Sequence, residues 1–420
     1  MDGRWFVIAA AVGLSLGPRS ANADPSVQPV PRVADGSDSF DRTAMVRELT
    51  RRGGGDPAAA AQLVQLTRGM EPALAAEMFE QLAKAHQAAG AVDLSADARL
   101  QLVQNYTAEP AAAHALVWLT RLYASSEAAQ QHRAAGQPRT EETEQGPAMY
   151  AYHLAEGIEG TAEVQAGDPP LVFARAVAAR RAGMAKASSG LISSLKHSRT
   201  AEAWGACAHM ESWLVEGRQG QPPVGVAECR RAAAPPRLDG VLDEDFWRRE
   251  GDPAPTERPA AADPNRTIIR WACDGEYLYV AGRVGKQPTS MYTQDHRPRV
   301  RDAALARDRV RLLVDVDRDY ATAFELTVDC RGWTADACWG DAAWNPEWFV
   351  AAGPGNGDPQ LGEWTFEAAI ALAELGATPA PGAAWAVSVQ RMVPTPDGET
   401  APSAGAADLD PSAFRILLFP

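Results

Sequence analysis

The stretch "RTIIRWACDGEYLYVAGRV", residues 266–284, sets the architecture of the second half of the chain. Ile269, Trp271 and Cys273 alternate with polar or small neighbours, Asp274-Gly275 supplies a tight turn, and Leu278 and Val280 carry the alternation back. Period-two apolar patterning around Asp-Gly is the signature of a β-hairpin with one face in a core. Working outward, "DRVRLLVDVDRD" (308–319) and "TAFELTVDCRG" (322–332) read as a second pair of strands around an acidic turn. "GEWTFEAAIALAELG" (362–376) starts as a strand with Trp364, Phe366 and Ala368 on one face, then bends into a helical turn. "AAWAVSVQRMV" and "FRILLFP" complete the set. Many short strands joined by Gly, Pro and Asp turns predict an antiparallel β-sandwich over 224–420.

Upstream the period changes. "EPALAAEMFEQLAKAHQAAG" (71–90) places Leu74, Met78, Leu82 and Ala85 on one helical face, with Pro72 in the first turn and Gly90 at the stop. Glu109-Pro110-Ala111 repeats Glu71-Pro72-Ala73, and Asp168-Pro169 opens a third such helix. Helix, glycine, helix and a fresh proline start describe stacked helical hairpins, so 40–220 is predicted to be an α-helical repeat-like domain. It resembles tetratricopeptide repeats, although the 38 residues between the first two starts exceed the usual ~34. The fold class expected is thus multidomain α plus β. A helical arm of this kind implies a protein partner, or simply a domain packed on its neighbour.

The chain has 420 residues and a net charge of −14, without a run of Lys or Arg to offset it, which excludes a nucleic-acid-binding role. Arg4 followed by the apolar run Trp5–Gly17 and the small-x-small site Ala21-Asn22-Ala23 reads as a signal peptide over 1–23, and the polar stretch 24–39 as a disordered linker. Export to the periplasm, the cell surface or the medium follows. Such a compartment permits a disulfide, and Cys330 and Cys338 are the two of the five cysteines placed to bridge a hairpin.

The block from Pro235 onward resembles the family 9 carbohydrate-binding modules. "LDGVLDEDFW" (238–247) matches the opening turn, "EYLYVAGRV" (276–284) the second strand, and "RDRVRLLVDVD" (307–317) the strand after the variable ligand loop. "EWTFEAAIALAELG" (363–376), "GAAWAVSVQRM" (382–392) and "DPSAF" (410–414) follow in the family's order. The resemblance implies a β-sandwich that binds a polysaccharide or other glycan without cleaving it, and often structural calcium. The family's two clamping tryptophans are not matched: Leu305 stands near the place of one, "GAADL" lacks the other, and Arg311 takes the place of an expected acid.

Other tryptophans are close at hand in "RGWTADACWGDAAWNPEWF" (331–349). Flat rings stack on the apolar face of a sugar while amides and acids bind its hydroxyls. Trp339, Trp344, Asn345 and Trp348 are therefore the expected ligand-binding residues, with two or three of the rings in the core as the alternative. Asp315, Asp317 and Asp319 alternate at a strand end, a pattern suited either to calcium or to a solvated acidic turn. No catalytic constellation stands out. Six of seven histidines are scattered through the helical half, and Glu363 and Glu367 read as an exposed strand face. Noncatalytic glycan binding is the function expected; a structural or protein-interaction scaffold, or an accessory to a polysaccharide-degrading system, are the alternatives.

Overall fold

Alternation in 266–284 is realised as drawn. In the computed structural model, β2 (Thr267–Cys273) and β3 (Tyr277–Gly285) pair antiparallel, with Trp271 opposite Val280 and Cys273 opposite Leu278. Trp271, Cys273, Leu278 and Val280 all enter one hydrophobic core. The structure describes residues 55–134, 145–159, 167–198, 202–248, 266–286, 307–355, 362–395, 398–399 and 409–420, with Ala44, Glu48, Leu49 and Arg51. The predicted leader (1–23), the linker (24–39) and Leu305 lie outside the described residues.

Ten strands form one hydrogen-bonded ladder in the order β6-β5-β4-β9-β12-β1-β2-β3-β8-β7. The remaining members are β1 (Val226–Arg231), β4 (Arg309–Asp315), β5 (Phe324–Asp329), β6 (Thr334–Cys338), β7 (Trp348–Pro354), β8 (Glu363–Ala371), β9 (Ala384–Met392) and β12 (Arg415–Leu418). A separate two-residue pair joins β10 (Pro394–Thr395) to β11 (Gly398–Glu399). The long ladder folds at β1 into two layers, because that strand changes partner halfway. Val226, Ala227 and Glu228 run parallel to β12, whereas Cys229, Arg230 and Arg231 run parallel to β2. The other pairings are antiparallel. Inner faces of both layers share a core that includes Val310, Leu312, Val314, Leu326, Trp364, Phe366, Ala368 and Trp385.

Helices α1 (Ala59–Leu66), α2 (Pro72–Ala88), α3 (Val92–Asn105), α4 (Pro110–Ala124), α5 (Ser126–Ala134), α6 (Gln145–Glu159), α7 (Pro169–Arg181), α8 (Ala185–Lys196) and α9 (Glu202–Val215) precede the strands. Proline stands in the first turn of α2, α4 and α7, where its missing N–H is no loss. The Glu71 side chain caps α2 by accepting from the Leu74 amide at 3.0 Å. Two hairpins repeat one another closely. In α2–α3 and again in α7–α8, a glycine with positive φ (Gly90, Gly183) makes the turn, and a serine five residues on (Ser95, Ser188) donates to the carbonyl of an alanine seven residues before that glycine (Ala83, Ala176). Both glycines close their helices in the left-handed conformation that only glycine adopts freely.

The helical array and the sheet belong to one compact unit, Val46–Pro420. Phe173, Val177, Ile192, Cys207 and Met210 of α7–α9 pack on Leu313, Ala386 and Ile416, the outer face of the layer containing β4, β9 and β12. Strand β4 is consequently buried on both sides. The outer face of the other layer is covered by the segment 232–247, through Leu242 and Trp247 against Ala272, Tyr279, Ala281 and Ala369. Gly240 makes the turn in this segment with φ +80°, and a Cβ there would lie 3.2 Å from the backbone of β7. Glu367 holds the segment down: it accepts from the Asp239 and Gly240 amides and from Trp247 Nε1, at 3.2, 3.0 and 3.1 Å. Glu363 is buried as well, paired with Arg283 at 2.7 Å. The exposed acidic strand face expected of these two glutamates is thus replaced by two engaged, buried carboxylates.

The Cys330–Cys338 bridge does not form. Strands β5 and β6 pair with Phe324 opposite Cys338, so Cys338 sits at the far end of the hairpin from the turn that carries Cys330. No helix among the described residues is long and apolar enough to cross a membrane.

Candidate functional site

The loop between β6 and β7 divides the expected binding residues. Trp344 is 3% exposed and packs against Phe324 with ring centroids 4.9 Å apart. Trp348 is 4% exposed and donates Nε1 to Asp336 at 3.3 Å. Both rings belong to the inner core, Trp344 from the loop and Trp348 from the first position of β7, and Trp348 presents no face to a ligand. Trp333, 8% exposed, lies under the Arg331 guanidinium at 3.7 Å. Trp339 and Asn345 face outward, and they meet a wall that the sequence did not announce.

That wall is helical. Trp118 of α4 stacks on Trp339 with centroids 5.2 Å apart and planes 22° from parallel, and Arg99 of α3 covers the opposite face of Trp118 at 3.9 Å. Guanidinium, indole and indole form a three-layer ladder that holds Trp339 at its outer end. Arg99 is itself fixed by Ser95 Oγ and by Gln87 Oε1 at 2.9 Å, and burial lowers its pKa. Trp339 has φ +47°, a left-handed conformation that costs a bulky residue roughly 1–3 kcal/mol. Its amide donates to the Ala323 carbonyl at 2.9 Å, which pins the strained turn to β5.

Two adjoining hollows open along this junction. One, of about 300 Å³, is lined by Trp118, Trp339, Gln87, Gln131 and Asp341. The other, of about 530 Å³, is lined by the floor ring Trp344 with Asn345, Asp341, Gln131, Asp93 and Glu374. Gly90, Val92, Gln131, Asp341 and Ala343 border both, so the two hollows form one cleft. Volumes of this order, roughly 300–1,000 Å³, suit a small-molecule or oligomer subsite. Asp341 is oriented by Gln131 Nε2, which donates to Oδ2 at 2.6 Å, and by the Ala343 amide on Oδ1 at 2.8 Å. The cleft therefore combines an aromatic edge with amides and carboxylates.

The acidic turn after β4 is buried, not solvated. Glu127, at the start of α5, reaches into it, and one carboxylate oxygen each from Glu127, Asp315 and Asp317 lie within 4.8 Å of one another. Asp319 is not part of that trio; it accepts from the Ala321 and Thr322 amides and from Thr322 Oγ1, closing its own turn. Burial first, then the neighbouring carboxylates, push Glu127 and Asp315 well above the usual carboxylate range. Burial and Asp317 raise Asp319 to about 6, against the pull of Arg121.

No protein-family model matches the chain, and no curated protein does. Among solved structures it is similar to a carbohydrate binding module family 9 from Caldicellulosiruptor kristjanssonii in complex with glucose, at 16% identity and TM-score 0.32, covering 46% of this chain and 95% of that one. The same organism's module in complex with cellotriose is similar at 17% identity and TM-score 0.31, covering 46% and 92%.

Proposed function

We propose that this is an exported, noncatalytic glycan-binding protein whose sugar site is the cleft between the helical array and the β6–β7 loop. The observation that carries the reading is the Arg99–Trp118–Trp339 ladder, which ends at a cleft also lined by Asn345, Gln131 and Asp341. An indole held from behind loses little freedom when a sugar face stacks on it, and oriented amides and acids are positioned for hydroxyls. The left-handed backbone at Trp339 supports the same assignment, since strain of this kind concentrates at ligand sites. Export rests on the leader-like run Trp5–Gly17.

The test is binding of the full chain to a panel of soluble glucans, xylans and amino-sugar polymers by affinity electrophoresis and calorimetry. Trp339→Ala is expected to weaken binding by about tenfold or more, the loss of roughly 1.4 kcal/mol of stacking, while leaving the far-ultraviolet circular dichroism and a cooperative unfolding transition in place. A folded protein that binds no glycan, or binds equally well without Trp339, refutes the site. A second reading, a protein-interaction scaffold, is favoured by the burial of Trp344 and Trp348, which leaves Trp339 as the one ring of the expected set that is not buried.

A further inference from the structure

We propose that the cleft, on the reading of it as a sugar site, selects amino sugars with free, protonated amines, such as a glucosamine chain, over neutral and acidic glycans. The aromatic edge at Trp339 cannot make that choice, because neutral and charged pyranoses alike offer a ring an apolar face. Discrimination falls to the polar groups around it.

Those groups carry one sign of charge. Asp341 lines both hollows, and Asp93 and Glu374 line the larger one. They come from three separate elements: Asp93 from the first turn of α3, Asp341 from the β6–β7 loop and Glu374 from the turn after β8. Among the described residues none of the three carboxylates makes an ion pair, and neither Lys nor Arg lines either hollow. His132 is the basic side chain of the lining, and it is buried. Two arginines of the neighbouring helices are engaged outside the lining: Arg99 stands behind Trp118, held by Ser95 and Gln87, and Arg133 donates to Gln130 Oε1 at 2.9 Å.

Spacing separates a sugar chain from a metal ion. Among the described residues, the three acids that bring carboxylate oxygens within 4.8 Å of one another are Glu127, Asp315 and Asp317, outside this cleft. Asp93, Asp341 and Glu374 do not converge in that way, so they suit several separated cations, as the ammonium groups on successive glucosamine units are. Asp341 is already oriented, and each of its oxygens takes a single donor, from Gln131 and from the Ala343 amide, leaving a lone pair for an ammonium N–H. Like-signed carboxylates in a walled cleft focus their field, draw cationic ligands in and repel uronates and sulfates.

The experiment is calorimetry on the full chain at mildly acidic pH, which keeps the amine protonated, with the trisaccharides of glucosamine, N-acetylglucosamine and glucose and with a glucuronic acid oligomer. Exposed ion pairs are individually weak, so two or three acting together should favour the glucosamine trisaccharide about tenfold over the neutral ones at low salt. The preference should largely vanish in about 1 M sodium chloride, where the Debye length is about 3 Å. A double variant, Asp93→Asn with Glu374→Gln, should lower the ratio of the two affinities, whereas Trp339→Ala should weaken the trisaccharides alike. Equal affinity for the three trisaccharides, or tighter binding of the glucuronic acid oligomer, overturns the amino-sugar assignment and leaves the sugar site standing. A folded chain that binds none of them overturns both. A preference undiminished in the double variant comes from the overall charge of −14 and not from the cleft, and it too overturns the assignment.

Discussion

Replacing Glu211 by Gln tests whether the helical array and the sheet are held by a buried charge cluster. Glu211 lies on α9 and is 3% exposed. Its Oε1 accepts from Arg318 Nε at 2.9 Å and from the Tyr320 hydroxyl at 3.0 Å; its Oε2 accepts from Arg318 Nη2 at 3.2 Å and from Arg180. Burial alone would raise this carboxyl, yet the Arg318 and Arg180 guanidiniums outweigh burial and hold it below its ordinary value. Gln keeps the shape but turns an amide N–H toward a guanidinium and leaves two arginines facing no charge. Breaking a buried pair from one side costs about 3–5 kcal/mol. Arg180 and Arg318 remain 27% and 19% exposed and keep backbone acceptors at Asp317 and Ala384, so the lower end, about 3 kcal/mol, applies. Urea unfolding, followed by far-ultraviolet circular dichroism and tryptophan fluorescence, would measure it. A cycle with Arg318→Met should give a coupling of about 2 kcal/mol. A loss below about 1 kcal/mol together with negligible coupling would refute the reasoning.

Two further outcomes follow from the sheet. Gly282→Ala places a Cβ 2.0 Å from Cε1 of Phe366, the residue paired with it across β3 and β8, so a loss of about 1–3 kcal/mol in thermal or urea unfolding is expected, partly relieved by Phe366→Leu. Glu367 is pushed up to about 7, by burial first and by Glu244 second, from an ordinary 4.5. The native state therefore holds this proton where the unfolded chain releases it. Stability from this group is fully present below pH 4.5 and is lost as pH rises through about 7, a change of roughly 3 kcal/mol. Unfolding measured across that range should show the slope, and Glu367→Gln should flatten it.

Local patterning carried the fold a long way. Alternation and Asp274-Gly275 fixed the register of β2 and β3, and the proline starts at 72, 110 and 169 marked α2, α4 and α7. The match between the α2–α3 and α7–α8 hairpins was also present in the letters, as an Ala, a Gly seven residues on and a Ser five beyond it. A search for long repeats passes over it because the residues between differ. The tryptophan run was harder to read. Its rings are separated by side, and the side depends on a loop whose turn at Trp339 has φ +47°, a conformation that sequence favours in glycine and does not signal in tryptophan. Partners from the other half could not be read at all: Trp118 behind Trp339, and Glu127 beside Asp315 and Asp317, come from helices far upstream. The acids of β8 looked solvent-facing because alternation reports only which side a residue takes. It does not report that residues 232–247 or Arg283 will cover that side.

The partner change in β1 has a mechanical meaning. Because Val226–Glu228 run parallel to Ile416–Leu418, tension between the chain before β1 and the chain after β12 pulls those two strands along their length in opposite directions. The interstrand hydrogen bonds are then loaded side by side, in shear, and must fail together instead of unzipping one at a time. Cys229–Arg231 tie the same strand to β2, so such a load is passed directly from one layer to the other.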